Sequence, residues 1–361
     1  MKKASDRILR RSVLSILVAA SMYIPQIMAR FTEYVTKDNS PVTDETVENG
    51  TQYVLNKGKT DNITVGVNGR QNVYFEGTAK NTSIEKGGRQ AVFITGNANT
   101  TIIKDGGVQI VNYDGTAQNT TIENGGEQVV YYKGKAENTT IRKGGKLDVR
   151  DGGKATSVKQ DDGAALIATT KDTDISGKNT LGDFSIKDGQ ADKVLLENGG
   201  WLTVVDGTTA TDTTIKQGGT LNVRAGGKAT SVEQQEGAAL IATTDKNTVV
   251  SGENSRGEFS INAGQADKVL LENGGQLTVV NETTADHTTI RDGGKLIVNN
   301  GGKTQNTGIE SGGLQTVKAG GKAGDTIIDN GGLMQNAGGN DSGTTVKSGG
   351  VYELGRVAID D

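Results

Sequence analysis

The side chains able to do chemistry are 43 acidic and 39 basic residues, a single histidine, His287, and a single tryptophan, Trp201. Glycoside or polysaccharide cleavage needs carboxylates or basic groups gathered across a cleft. Asp161-Asp162 is an adjacent acidic pair, yet no second acidic cluster shares its place in the chain's own repeat. Elsewhere acidic residues interleave with Lys and Arg, so an enzyme is disfavoured.

Metal and cofactor chemistry has equally little to work with. There is no cysteine, which excludes disulfides and thiolate ligands. His287 occupies a column otherwise held by Asn81, Asn119, Asn138, Asp212 and Asn306, the pattern of a solvated surface position. The G-G-x-G-x-D runs of calcium-binding solenoids are missing. No cofactor is expected.

What must position any functional side chain is a repeat. The second glycine of a Gly-Gly pair recurs at Gly50, Gly69, Gly88, Gly107, Gly126 and Gly145, 19 residues apart, and again at Gly200, Gly219, Gly275, Gly294, Gly313 and Gly332. Four before each marker stands an aliphatic residue such as Ile84, Ile103 or Ile122, and four after it a valine such as Val92, Val111 or Val130. Neighbouring positions vary freely, so the unit alternates inside and outside with the period of a strand. A fixed short period of this kind is the mark of a stacked solenoid.

Three before the marker the sign of charge alternates: Glu85, Lys104, Glu123, Arg142, then Glu197 and Lys216, then Glu272 and Arg291. One unit per coil of a parallel β-helix would bring these side chains within about 4.8 Å of each other and pair opposite charges. Nineteen residues at about 3.3 Å each suit one circuit of a triangular coil. Its corners are expected at the Gly-Gly pairs and at Gly-x-Ala elements such as Gly96–Ala98. Two after the marker, Gln52, Gln71, Gln90, Gln109 and Gln128 share the valine face and are expected to stack as an internal amide ladder, giving way to Leu147, Leu202, Leu221, Leu277 and Leu296.

Hydrophobic residues make up 33% of the chain and aromatic ones 4%, too little for one large globular core but enough for thin stacked coils. Residues 1–29 differ in kind: a basic start, an apolar run, and Ile27-Met28-Ala29 before Arg30, which read as a secretory signal cleaved after Ala29. That leader holds five basic residues and one acidic one, so its loss moves the net charge from −4 to −8. An acidic chain without a basic stripe argues against a nucleic-acid partner.

The expected organisation is a signal peptide at 1–29, an extended N-terminal cap at 30–47, a solenoid at 48–350 and an unfinished end at 351–361. Within the solenoid an irregular block is duplicated, 146–219 and 220–294, visible in GGKATSVKQDDGAALIATT against GGKATSVEQQEGAALIATT. Inside the two copies Lys171–Gly182 and Asp245–Gly257 are polar and aperiodic, and are expected to leave the coil as loops or short hairpins.

The repeat N-T-T-I-x-x-G-G-x-Q-x-V-x-x-G, with its KVLLENGG and AALIATT blocks, closely resembles the passengers of AIDA-type autotransporter adhesins over roughly Glu48 to Gly350, the self-aggregating antigen 43 subgroup above all. The resemblance implies an all-β, single-stranded right-handed parallel β-helix of the pectin-lyase-like kind, exported to the bacterial cell surface. It implies cell–cell autoaggregation and biofilm formation through homotypic, head-to-tail contacts between passengers on different cells, with a host surface or matrix as a further partner.

For some members it also implies heptose on serine and threonine, added by a cytoplasmic heptosyltransferase. By position the acceptors would be Thr120, Thr139 and Thr213, with Thr121, Thr140 and Thr214 as their neighbours; the first three share the parity of the buried isoleucines. The candidate self-association face is Glu85, Lys104, Glu123, Arg142, Asn119 and Asn138. The family's translocator barrel is not evident after Gly350, so the chain reads as a truncated product, a passenger fragment, or one that depends on an outer-membrane translocator supplied separately, which in that case is a further partner. The alternatives are a non-functional periplasmic remnant of such an adhesin and, less favoured, a carbohydrate-active β-helix enzyme.

Overall fold

The computed structural model describes residues 31–355. The expected signal peptide with its Ala29 cleavage site, and the last residues of the expected C-terminal end, lie outside them. The described chain is a parallel β-solenoid with one coil per repeat. One face is a 16-stranded sheet running from Phe31–Val35 to Val351–Leu354.

Register follows the repeat. Gln71 pairs with Gln90, Gln90 with Gln109 and Gln109 with Gln128, while Val73, Val92, Val111 and Val130 align beside them. Strand Arg89–Val92 alternates exposed, buried, half-buried, buried, because successive side chains of a strand point to opposite faces. Ile84, Ile103, Ile122 and Ile141 reach the same interior from another face and are fully buried with the valines. Each such burial stabilises by about 1.5–3 kcal/mol, and stacking repeats it coil after coil.

Each coil turns three times. One corner is the first glycine of the pair, Gly87 at φ +77° and Gly106 at +68°. The second, marker glycine is not left-handed; it is required by approach, since a Cβ on Gly88 would overlap the carbonyl oxygen of Val65 in the preceding coil. The glycine of Gly-x-Ala is crowded in the same way, Gly96 against the Val73 carbonyl, while Ala98 is core. The third corner is the asparagine column: Asn62, Asn81, Thr100, Asn119 and Asn138 all have φ between 49° and 59°. Asparagine tolerates this conformation far better than branched residues do.

Two boundaries differ from expectation. The segment 31–35 is not an extended cap; it pairs residue for residue with Gly50–Val54, placing Glu33 on the glutamine column and Val35 on the valine column. Its coil lacks a preceding Gly-Gly marker, so periodicity alone passed over it. At the other end Val351–Leu354 pairs with Leu333–Asn336 and continues the same sheet.

The aperiodic segments form hairpins that extend further than expected. Asp174–Asn179 pairs antiparallel with Gly182–Lys187, which pairs antiparallel with Gln190–Asp192. The second block repeats this with Val249–Asn254, Gly257–Asn262 and Gln265–Asp267. Phe184 and Phe259 are each 3% exposed, so each hairpin covers its own patch of core instead of standing free as a loop.

Candidate functional site

Inside the solenoid the glutamine column is a continuous ladder. Each Nε2 donates to the Oε1 of the coil before: Gln71 to Gln52 at 2.8 Å, Gln90 to Gln71 at 2.7 Å, Gln109 to Gln90 at 2.7 Å and Gln128 to Gln109 at 2.6 Å. Threonines from the asparagine corner complete it, as Thr120 donates to Gln109 at 3.3 Å and accepts from Gln128 at 3.3 Å. At the N-terminal end Gln52 donates to Glu33 at 2.6 Å. Burial, with Glu33 beside it, pushes the Glu45 carboxyl above the ordinary range.

This ladder takes up the hydroxyls of Thr120 and Thr139. Thr120, Thr139 and Thr213 are at most 1% exposed and Thr214 is 6% exposed, so a folded coil does not present them to a sugar-transfer enzyme. Strand alternation is the cause for the first three, whose hydroxyls share the parity of the buried Ile column; Thr214 has the outward parity of Thr121 and Thr140 and is covered where its hydroxyl donates to Glu233 at 3.4 Å. Thr121 and Thr140 point outward and are half-buried. Where the glutamines become leucines the hydroxyls lose their partners, and Thr213 and Thr288 are buried without a hydrogen bond; Thr307 is too, since Gln315 of its coil bonds Thr304 and Thr326 instead.

The outward candidates lie side by side along the narrowest face. Asn119 and Asn138 are exposed at the third corner, and each donates from Nδ2 to a side-chain oxygen of the coil before, Asn119 to Asn99 at 3.0 Å and Asn138 to Asn119 at 3.3 Å. The charged column flanks the other edge. Lys104 Nζ lies 2.7 Å from Glu85 Oε1, and that hydrogen bond holds the Glu85 carboxyl below its ordinary range and the Lys104 ammonium above its own.

The column continues with Arg291 to Glu272 at 2.8 Å and Lys347 to Asp329 at 2.7 Å. It is not paired throughout in the order expected. Arg142 turns away from Glu123 to Asp161 at 3.4 Å, because the next coil supplies a carboxylate on its other side.

The other chemistry-bearing residues are held by neighbours. Asp161 also meets Lys159 at 3.2 Å, and Asp162 meets Lys216 at 3.1 Å, so the acidic pair is split between cations. His287 is at the third corner with φ 49°, its Nδ1 3.3 Å from both Asp267 and Asp286.

Column reading by single positions missed an aromatic strip over the first coils. Tyr34 stacks on Tyr53 at 5.0 Å and Tyr74 on Phe93 at 5.1 Å, with Phe75 edge-on to Tyr74. Phe75, Ile94 and Tyr113 extend it at an exposed turn with φ of 47°, 44° and 35°. The signal was present five and six residues after the markers, where Tyr74-Phe75, Phe93-Ile94 and Tyr131-Tyr132 recur.

Comparison with known proteins finds matches by sequence over most of the solenoid. The family model described as "Adhesin of bacterial autotransporter system, probable stalk" matches residues 74–122, 113–164, 176–238, 251–313 and 300–350, well over half of the chain. "Probable autotransporter YpjA" of Escherichia coli K12 is 44% identical over 128 residues, 30% of this chain and 8% of the relative. "Autotransporter adhesin/invasin TibA" of Escherichia coli O78:H11 is 51% identical over 61 residues, 17% of this chain and 6% of the relative.

The chain thus spans less than a tenth of each of these two relatives. A solved structure, "Crystal structure of TibC-catalyzed hyper-glycosylated TibA55-350 fragment", aligns with 90% of this chain and 96% of its own length at 28% identity and a TM-score of 0.36. The repeat, the coil it builds and the five family matches lead to one statement: the chain belongs to the family of bacterial autotransporter adhesin stalks.

Proposed function

We propose that the chain is the exported, surface-displayed stalk of an autotransporter adhesin and that it acts by binding further copies of itself on neighbouring cells. The observation that carries this is the outward ladder along the narrow face. Asn119, Thr121 and Glu123 in one coil and Asn138, Thr140 and Arg142 in the next repeat the same polar and charged sequence at each strand step. Each asparagine donates one amide hydrogen within the ladder, Asn119 also accepting from Asn138 through Oδ1, and keeps its second amide hydrogen for an outside partner.

A rod presenting regularly spaced weak contacts gains strength by multivalency: many contacts, each worth under about 1 kcal/mol, hold cells that a single one would not. Biofilm growth follows from the same contacts. Any heptose added by a dedicated transferase would be carried by outward hydroxyls, Thr121 and Thr140 among the threonines considered.

The test is settling of cells that display the chain on a supplied translocator barrel. Asn119→Gly and Asn138→Gly keep the left-handed corner and remove the side chains. Combined with Glu85→Gln and Lys104→Gln, they are expected to slow settling while surface amount stays unchanged. Unaltered settling would remove this face from the account.

A further inference from the structure

Trp201 stands where the first irregular block returns to the coil. The hairpin shifts the strand register by two residues, so Trp201 aligns with Ile167, which itself aligns with Asp148. In regular coils the equivalent marker-plus-one position, Glu127 or Lys146, stays in its own column. The shift carries the indole toward the rim where Tyr131 and Tyr132 follow their strand.

The result is a groove of about 710 Å³, a volume ordinary for small-molecule sites. Arg150 closes one side, its guanidinium carbon 4.7 Å from the centre of the Tyr131 ring and its Nε 3.1 Å from Asp148 Oδ2. Tyr132 is 56% exposed, its ring laid over Gly152 where a Cβ would collide with it. The indole Nε1 donates to Thr203 at 2.9 Å, which fixes the ring plane.

The duplicated block is an internal comparison. The same backbone recurs with Ile241 aligned to Gln276, and Arg224 and Thr278 in the places of Arg150 and Thr203. There Val205, Asp206 and Gln276 stand for Tyr131, Tyr132 and Trp201, and Asp206 lies over Gly226 as Tyr132 lies over Gly152. The fold therefore does not need the three rings. They are an addition to one copy, and they converge on one groove.

We propose that this groove binds a neutral pyranose unit of a glycan. Such a unit has C–H faces that pack on aromatic rings and a rim of hydroxyls that both donate and accept. The groove supplies both complements: three aromatic side chains, and a guanidinium and carboxylate beside them. Trp, Tyr and Arg also recur at protein–protein hot spots; the open groove with hydrogen-bonding groups beside its rings favours the sugar, and a second copy seated there is one of the outcomes that would overturn the proposal. Within the lining Arg150 is already matched by Asp148, with Asp151 adjacent, so the groove itself favours a neutral sugar; Lys133, whose Nζ is 5.4 Å from the centre of the Tyr132 ring, is not part of the lining.

Trp201 is the chain's single tryptophan, so its emission reports this groove and nothing else. The purified full chain is titrated with cellotetraose, lacto-N-tetraose and sialyllactose. A saturable emission shift with a neutral tetrasaccharide, at a Kd of about 1 mM or tighter, is expected, with sialyllactose weaker. Tyr132→Asp, read by emission, and Trp201→Gln, read by calorimetry, are each expected to weaken binding about tenfold or more.

Both substitutions install what the second block already carries, so an unchanged circular dichroism spectrum and melting curve accompany them. The proposal is overturned if neither neutral tetrasaccharide gives a saturable shift, or if the shift persists in Tyr132→Asp. Equal or tighter binding of sialyllactose overturns the choice of a neutral sugar. Emission that tracks protein concentration without sugar would show a second copy covering the groove, and would also overturn it.

Discussion

Gln128 Nε2 donates to Gln109 Oε1 at 2.6 Å across one 19-residue step, so one side chain's acceptor is the next coil's anchor. Every buried amide from Gln71 to Gln128 donates to the one before, and the threonine hydroxyls fill the remaining valences. Low local dielectric strengthens such a chain and penalises any break in it.

Gln109→Leu is accordingly expected to cost about 2–3 kcal/mol, although leucine already occupies the same column at Leu147. It takes from Gln90 Oε1 its amide donor and from Gln128 Nε2 and Thr120 Oγ1 their shared acceptor, leaving Gln90 Oε1 with Thr101 alone and Gln128 Nε2 with Thr120 alone. Because a solenoid opens locally, the check is hydrogen exchange: amides of the coils holding Gln90 to Gln128 should lose protection while those beyond Leu202 keep theirs.

Thr213 and Thr120 occupy the same column and should respond oppositely to loss of the hydroxyl. Thr213 is buried with no partner, so Thr213→Val is expected to stabilise by about 1 kcal/mol. Thr120 bonds two glutamines, so Thr120→Val is expected to destabilise by about 1–2 kcal/mol. Local exchange free energies of the two variants decide it; destabilisation by both would contradict the assignment.

The solenoid was legible because its core columns repeat. Ile84, Val92 and Gln90 recur every 19 residues, and a buried column must repeat if identical coils are to stack. The third corner was harder, since Asn81 and Asn119 look like ordinary surface asparagines until their φ values show that the backbone turns there. The first coil was missed because Phe31–Val35 lacks a glycine marker. The aromatic groove was half legible: Trp201 and Tyr131-Tyr132 stand out in the sequence as side chains able to anchor a ligand, but that they meet was not, since Trp201 aligns with Ile167 only after a hairpin whose two-residue shift no column count contains.

Ile94 is β-branched, exposed and at φ 44°, a combination that is strained in itself. Ile94→Asn is expected to stabilise by about 1 kcal/mol and to interrupt the aromatic strip. The thermal midpoint measures the first effect. A fall in stability would mean that the exposed side chain packs more than it strains.

Acid should act with opposite sign at two carboxyls. Glu85, held below the ordinary value by Lys104, contributes stability that is present above the unfolded value near 4.5 and is lost as pH falls through the folded one. Glu45, raised by burial and by Glu33, binds its proton more tightly when folded, so its contribution is present below the unfolded value and lost as pH rises through the folded one. Glu45→Gln is therefore expected to stabilise the first coils at neutral pH by less than about 1 kcal/mol, with the gain vanishing in acid. Glu85→Gln is expected to do the reverse, and stability measured against pH for both separates them.

The most direct test of homotypic adhesion mixes two differently labelled cell populations, one displaying the chain on a supplied barrel and one displaying the barrel alone. Self-association predicts clumps built only from cells that carry the chain, with bystanders left in suspension. Clumps that take up both populations equally, or no clumps at full surface display, would contradict it.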